Sequence, residues 1–150
     1  MRAEVDSPVG TLILSAADGA ITALGWGRAP TSETAPILEQ ARAELAAYFA
    51  GDLTVFTVPL APGGSAFQQA FYTALCAIPY GETRSYGDLA TDLGVSAQAI
   101  GQACGANPIP IFIPCHRVLG ADGLGGYSGA GGVETKVALL KLEGAASHLI

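Results

Sequence analysis

The chain has 150 residues, half of them apolar, and its 20 glycines do not recur at every third position. This composition excludes a collagen-like or disordered chain and predicts a globular protein of one large or two small domains. The net charge of −6 opposes nucleic-acid binding, because affinity for a polyanion comes largely from lysine and arginine side chains.

The cysteine, histidine and hydropathy patterns exclude further classes of protein. Three cysteines and two histidines have neither the even count of a disulfide framework nor a zinc-binding spacing. The longest uncharged stretch, residues 94–117, is interrupted by amides and prolines, which argues against a membrane span. The start of the chain lacks the apolar segment of a signal peptide. We therefore expect a cytoplasmic protein with reduced thiols and no membrane contact.

The first part of the chain predicts a small antiparallel sheet and a helix. Residues 7–26 contain two runs rich in β-formers, separated by the turn residues Asp18-Gly19. Residues 34–50 have apolar side chains at helical spacing. The apolar positions of this predicted helix are Ile37, Leu38, Ala41, Leu45, Ala46 and Phe49. Residues 53–60 then indicate a further strand.

A linker is predicted at residues 61–64, Ala-Pro-Gly-Gly, because proline and glycine favour irregular backbone. The next residues, from Ser65 to Gln68, have the capping-box pattern of a helix start. We therefore divide the chain into an amino-terminal sheet-and-helix domain, 1–61, and a second domain, 65–150.

The second domain is predicted to be mostly helical and to contain a helix-turn-helix. A short helix over residues 86–93 is followed by a tight turn, and Ser96 can cap a second helix that ends near Gly105. Gln98 and Gln102 share the outward face of this second helix, which therefore carries no positive charge. The whole pattern predicts an α/β chain of the α+β kind.

Cys115 is the first candidate for chemistry. A short apolar run, residues 109–113, leads into Pro114, which stops a strand, so that Cys115 lies where regular structure ends. A thiol reacts as a thiolate, which His116 can generate as a base and Arg117 can favour through its charge. The residues alone leave a second interpretation open, in which a small buried cysteine lies beside a histidine with structural hydrogen bonds.

Glu143 is the second candidate, at the end of a helix predicted over residues 133–143. It shares the apolar face of Leu139 and Leu140, where a carboxylate needs a partner. His116 is that partner in a Cys-His-Glu relay, formed directly or through water. The alternative is a helix-end carboxylate in solvent. The two other cysteines, Cys76 and Cys104, fall on apolar helical faces and are predicted to be packing residues.

The signature Pro114-Cys115-His116-Arg117-Val118, preceded by Gly105-Ala106-Asn107-Pro108, resembles the active-site signature of the O6-alkylguanine-DNA alkyltransferases. The resemblance covers residues 65–144 well, and Ser7-Pro8-Val9-Gly10-Thr11 is similar to the family's amino-terminal domain. Further family elements appear in the order Phe67-Gln68, Ile78-Pro79-Tyr80-Gly81-Glu82-Thr83, Ser85-Tyr86-Gly87, Gly126-Tyr127-Ser128-Gly129, Lys136, Leu139-Leu140 and Glu143-Gly144.

The resemblance implies a single-turnover reaction in which Cys115 irreversibly takes the alkyl group of a flipped-out O6-alkylguanine in duplex DNA. It implies that Tyr86 supplies a proton to the leaving base and that Asn107 helps to hold the site. It implies no metal and no cofactor, and we expect a monomer. The substrate-binding residues that it implies are Gln98, Tyr127, Ser128, Gly129 and Arg117.

Three departures from the family pattern concern the substrate. Gln98 replaces an arginine that fills the gap left by the flipped base in the family. The turn before its helix is shorter than usual, and the loop from Tyr127 to Lys136 is longer. With the acidic charge, these departures weaken the DNA-binding half of the function more than the alkyl-transfer half.

Three functions are therefore compatible with the sequence. The leading one is a DNA repair protein that transfers alkyl groups to Cys115. The alternative is a cysteine acceptor or transferase for a small alkylated molecule such as free O6-alkylguanine. The third is a non-catalytic binder of damaged DNA, against which the presence of Cys115 argues.

Overall fold

The computed structural model describes residues 1–29, 32–120, 123–127 and 129–145. Strands and helices are mixed as the sequence predicts for an α+β chain, and no helix in these ranges is long and apolar enough to cross a membrane. The elements are β1 Arg2–Val5, β2 Leu12–Ala17, β3 Ala20–Trp26, α1 Pro36–Phe49, α2 Ala66–Cys76, β4 Arg84–Ser85, α3 Tyr86–Leu93, α4 Ala97–Gly105, a 3₁₀ turn Cys115–Arg117, β5 Val118–Leu119 and α5 Val133–Leu142.

The first three strands form an antiparallel sheet in the order β1-β2-β3. Asp18 and Gly19 join β2 to β3 with positive φ angles of 52° and 75°, the conformation that a two-residue hairpin turn requires. Alternate residues of β2 point into the core, since Leu12 and Leu14 are fully buried. The sequence pattern predicts the hairpin but misses β1.

The free edge of β3 is covered by irregular chain. Ile21 exchanges backbone hydrogen bonds with Pro59 and Ala61, and the Leu24 amide donates to the Pro108 carbonyl at 2.9 Å. The predicted strand over residues 53–60 is wrong, because only an isolated bridge forms there.

Glu44 of α1 explains why that strand does not form. Its carboxylate accepts from the Thr57 amide at 2.8 Å and from the Val58 amide at 3.1 Å. These amides are therefore bonded to a side chain and are not available to a strand ladder.

Helix α1 begins at Pro36, a residue suited to the first helical turn, and packs one face on the sheet. Ala46, predicted to lie on that face, is exposed, and Tyr48 is buried instead, with 1 % of its surface accessible. The buried face therefore carries a phenolic hydroxyl toward the second half of the chain.

The predicted helix-turn-helix is formed by α3 and α4. Ser85 and Ser96 cap the two helices with their side chains, and Gly94 ends α3 in the left-handed conformation. The short parallel pair β4-β5 joins the start of α3 to the residues that follow the 3₁₀ turn, with Arg84 opposite Val118. This pairing places α3 beside Cys115.

The apolar run at residues 109–113 is a buried turn, and the prediction that it leads into the site as an extended segment is wrong. Proline at position 110 removes a backbone donor, and Ile111 takes a φ of +75°, which is rare for a β-branched residue. One hydrophobic core extends from β2 through this turn to α5.

Candidate active site

Cys115 follows a tight change of chain direction. Its amide donates to the Ile113 carbonyl at 2.8 Å across Pro114, whose φ of −81° and ψ of 65° are those of an inverse γ-turn. The chain then enters the 3₁₀ turn. The thiol therefore lies between a turn and a short helical segment, with 4 % of the residue exposed.

Asn107 holds the turn that precedes Cys115. Its Oδ1 accepts from the Ile109 amide at 3.0 Å, and its Nδ2 donates to the Ile113 carbonyl at 2.9 Å. The strained φ of Ile111 lies between these two anchors and costs about 1–3 kcal/mol. Asn107 thus ties together the two ends of a loop that would otherwise relax.

Glu143 lies directly after α5 and is buried, which excludes the solvent-exposed alternative. Its Oε2 accepts from His116 Nε2 at 2.7 Å, from Tyr48 Oη at 2.5 Å and from Arg117 Nη2 at 3.0 Å. Its Oε1 accepts from Arg117 Nε at 2.8 Å. Three of these four hydrogen bonds converge on Oε2, and the fourth is made by Oε1.

The protonation states of this cluster follow from burial and charge. Burial alone would raise the pKa of Glu143, but hydrogen bonds from His116 and Arg117 outweigh it and lower that pKa to about 2. Burial lowers the pKa of His116, and the hydrogen bond to Glu143 offsets this only in part. The imidazole is therefore neutral, with its hydrogen on Nε2.

The second imidazole nitrogen is the basic one. His116 Nδ1 has no hydrogen-bond partner among the described residues, so the Cys115 thiol does not contact it directly. Of the two forms of the relay that the sequence predicts, direct and water-mediated, this geometry fits only the water-mediated one. A neutral Nδ1 is suited to take the thiol proton.

Two groups counteract the burial of the thiol. Burial raises the pKa of Cys115, while a hydrogen bond with the Asn107 side chain and the charge of Lys136 act to lower it. Lys136 is fully buried and donates from Nζ to the carbonyls of Val118, Leu124 and Gly126. A cation with three carbonyl partners thus fixes the loop beside Cys115 and favours its thiolate.

Cys115 opens onto a pocket of about 430 Å³. The glycines of α4 and of the loop in this lining place no side chains in the pocket. Cys104, predicted to be a packing residue, is part of the pocket wall. Burial raises the pKa of Cys104 to about 12, so this second thiol stays protonated. The pocket is lined by Tyr86, Gly101, Cys104, Gly105, Cys115, Gly126 and Tyr127.

The pocket loop packs on the first sheet. The Trp26 and Tyr127 rings meet edge to face with centroids 6.5 Å apart, and Trp26 Nε1 donates to the Val9 carbonyl at 3.0 Å. Gly129 lies so close to both rings that a Cβ would collide with them. Ser128, a predicted substrate-binding residue, lies outside the described residues.

Two predicted substrate-binding residues do not line the pocket. Gln98 is exposed on α4, about one turn before Gly101 at the pocket wall. Arg117 lines a separate cavity, donates from Nη1 to the Ile78 carbonyl at 2.7 Å and pairs with Glu143. The expectation that Arg117 contacts substrate is therefore corrected, and its charge is compensated within the cluster.

Sequence reasoning missed the contributions of Tyr48, Lys136 and Trp26. Tyr48 lies three residues after Leu45 on the apolar face of α1, and a buried hydroxyl needs a partner. Lys136 lies three residues before Leu139 on the buried face of α5. In both cases the helical spacing alone places a polar group on a buried helix face.

Two models of known protein families match this chain. The model of the 6-O-methylguanine DNA methyltransferase DNA binding domain matches residues 66–145, and that of the ribonuclease-like domain of the same name matches residues 2–62. The chain belongs to the 6-O-methylguanine DNA methyltransferase family. Cys115, His116 and Glu143 all lie within the first of these matches.

Relatives in this methyltransferase family are similar over nearly the whole chain. A methylated-DNA--protein-cysteine methyltransferase of Mycolicibacterium paratuberculosis is 46% identical over 93% of this chain and 89% of its own length. One of the same name from Methanosarcina acetivorans is 42% identical, covering 93% of this chain and 95% of its own. The crystal structure of Mycobacterium tuberculosis OGT in complex with DNA has a TM-score of 0.85 and 45% identity, covering 96% of this chain and 92% of its own.

Proposed function

We propose that this chain repairs DNA by transferring the alkyl group of O6-alkylguanine irreversibly to Sγ of its own Cys115. The observation that carries the proposal is a buried cysteine at a base-sized pocket, backed by His116 and Glu143 at 2.7 Å. The relatives named above are methylated-DNA--protein-cysteine methyltransferases, and the tuberculosis relative is bound to DNA in its crystal structure. Both support DNA as the substrate.

The reaction follows from the protonation states. Neutral His116 takes the thiol proton at Nδ1 through a bridging water, and Glu143 stabilises the imidazolium. The thiolate attacks the alkyl carbon, so that an S–C bond forms while the bond from that carbon to O6 breaks. The guanine leaves as it takes a proton from Tyr86 at the pocket wall, which regains one from solvent.

Intact mass measurement tests this function. Incubation with duplex DNA containing O6-methylguanine should add one methyl group to the peptide that holds Cys115. A Cys115→Ala variant should gain no mass, and a parent protein without the mass shift would contradict the proposal.

A second candidate is an acceptor for a small alkylated molecule, and the distribution of charge favours it. Among the described residues, Arg84 is paired with Asp92 at 2.6 Å, while Arg117 and Lys136 are buried. Exposed cations that could bind phosphates are therefore scarce near α3 and α4. Free O6-benzylguanine would then label Cys115 at a rate that added DNA does not improve, whereas strong stimulation by DNA would exclude this candidate.

A cytoplasmic monomer is the form in which we propose that the chain acts. One pocket holds the nucleophile, and one buried cluster supplies its base and the carboxylate behind it. Light scattering after size exclusion should give the mass of one chain without DNA. With DNA it should give the mass of one chain bound to each DNA site.

A further inference from the structure

Tyr48 connects the first half of the chain to the carboxylate behind the nucleophile. It lies on α1, 95 residues before Glu143, and its hydroxyl donates to Oε2 at 2.5 Å. Burial is the main cause that raises the pKa of Tyr48 well above its ordinary value, and the Glu143 charge adds to it. The hydroxyl therefore stays a donor wherever the protein is folded.

The Tyr48 hydroxyl is one of three donors that converge on the same oxygen of Glu143. Oε2 is shared by Tyr48, His116 and Arg117, while Oε1 is bound by Arg117 alone among the residues that the structure describes. The guanidinium fixes the carboxylate along one edge, and Tyr48 is the donor that approaches from α1. Without it, Oε2 would keep more negative charge and more freedom to turn away from His116.

We propose that Tyr48 is a positioning residue for alkyl transfer: it holds Glu143 so that His116 keeps Nε2–H on the carboxylate and Nδ1 free for the thiol proton. The inference rests on the proposed function, because it assigns Tyr48 to the relay behind Cys115. It also assigns part of the relay to the first half of the chain.

The direction of the pH effect follows from the groups around the relay. Removing the Tyr48 hydroxyl leaves more charge on Glu143, which raises the pKa of His116. The rate of thiol alkylation falls where His116 becomes protonated, so the acid limb of the rate profile moves to higher pH. Among the described residues, the titratable and charged groups that face this cluster are Tyr48 on α1, Cys76 at the end of α2, Tyr80 before β4, Cys115, His116 and Arg117 on the 3₁₀ turn, Lys136 on α5 and Glu143 after it.

The test is the pH dependence of Cys115 alkylation in Tyr48→Phe, a change that keeps the ring and removes one oxygen. Two probes are used, O6-benzylguanine and iodoacetamide, and the peptide that holds Cys115 is quantified by mass. We expect the acid limb to move up by about one pH unit, so that the rate at a fixed pH on that limb falls on the order of tenfold. A Tyr48→Phe profile that superimposes on the parent profile with iodoacetamide would overturn the inference.

Tyr80→Phe is the matched control. Tyr80 packs on Tyr48 with ring centroids 6.2 Å apart, and its hydroxyl donates to the Leu142 carbonyl at 3.2 Å, not to Glu143. This variant should retain the parent pH profile. An equal shift in both tyrosine variants would overturn the inference, since it would show an effect of the aromatic cluster and not of the Glu143 contact.

A His116→Gln background provides the second control. Glutamine can still donate to Glu143, but it cannot take the thiol proton. Adding Tyr48→Phe there should leave the pH profile unchanged, and a further shift would overturn the inference. A parent protein that reacts with iodoacetamide but with neither benzylguanine nor methylated DNA would contradict the proposed function alone, and the iodoacetamide profiles would still decide the role of Tyr48.

Discussion

At Glu143 one carboxylate has a part both in the proposed chemistry and in the stability of the molecule. It orients His116, and it also compensates the buried charge of Arg117. Glu143→Gln would therefore leave a buried guanidinium without a counter-charge, a change that typically costs about 3–5 kcal/mol. Glu143→Gln is therefore expected to destabilise the fold as well as to slow alkylation, and His116→Gln is the cleaner probe of the relay.

The first prediction concerns stability against pH. The folded-state pKa values of His116 and Glu143 both lie below their ordinary values of 6.5 and 4.5, so the unfolded chain binds more protons. The contribution of His116 is complete above about pH 6.5 and is lost as the pH falls below it. That of Glu143 is complete above pH 4.5 and is lost as the pH falls toward about 2. The free energy of unfolding, measured with urea from pH 8 to pH 3, should decrease steadily. The His116→Gln variant should lack the part of this decrease that begins near pH 6.5.

The second prediction concerns Cys104 as a wall of the substrate pocket. Cys104→Leu adds volume beside Cys115, and overpacking of this kind costs about 1–3 kcal/mol. The labelling rate with O6-benzylguanine should fall on the order of tenfold, and the rate with O6-methylguanine should fall less. Cys76→Leu is the control, because Cys76 is exposed and lies outside this pocket. Equal losses for both substrates would show that Cys104 does not select alkyl size.

The sequence could predict the nucleophile but not the full set of side chains around it. Cys115, His116 and Glu143 were identified from a contiguous motif and a helical face. The approach of Tyr48 to Glu143 depends on how α1 packs across the molecule, which no local spacing encodes. Cys104 was assigned to packing because its helix face is apolar, and that face turned out to border the pocket.

Among the elements, the helix-turn-helix has the surface that is least suited to the DNA binding expected of it. Its helices are capped by serines and end cleanly, so the architecture for entering a DNA groove is intact. The exposed face of α4 nevertheless carries glutamines where phosphate contacts need cations. Its contribution to DNA affinity is therefore expected to be weakly salt-dependent.

The third prediction restores a cation to α4. Gln98→Arg should increase the DNA-stimulated rate of Cys115 labelling and steepen its salt dependence, by a slope of about −0.9 for each new phosphate contact. Gln102→Arg adds the same charge one helical turn away and serves as the control for a general electrostatic gain. Stopped-flow labelling across a salt series measures both, and equal behaviour of the two variants would argue against a special role for position 98.

Elements that depend on local signals were predictable, and those that depend on side-chain partners were not. The caps of α2 and α4 are visible in the sequence as serines before the first helical residues. Residues 53–60 have strand-like composition, yet Glu44 takes two of their amides. Residues 109–113 also have strand-like composition, yet hydrogen bonds with the Asn107 side chain hold them in a turn.

At the scale of the whole molecule, the first half of the chain supports a site that the second half carries. Tyr48 bonds to Glu143, Trp26 packs on Tyr127, and the Leu24 amide bonds to the Pro108 carbonyl beside the active-site turn. The hydrophobic core is continuous across the linker. The boundary at residues 61–65 stays a proposal about sequence organisation.

The fourth prediction follows from this shared core. A fragment of residues 65–150 should melt at a lower temperature than the full chain and alkylate Cys115 more slowly, because it lacks the supports from α1 and β3. Calorimetry and iodoacetamide labelling measure the two effects, and adding a separate 1–61 fragment should restore both in part. A fragment as stable and as reactive as the full chain would show that the two halves are independent.

Trp26 is the single tryptophan of the chain, and its indole lies against the Tyr127 ring of the pocket loop. Its fluorescence therefore originates beside a residue that lines the pocket. A purine that enters the pocket, or an alkyl group left on the cysteine, should change the environment of the indole without any added dye. The protein thus carries an internal optical reporter, with which binding and chemistry can be followed in real time as separate phases.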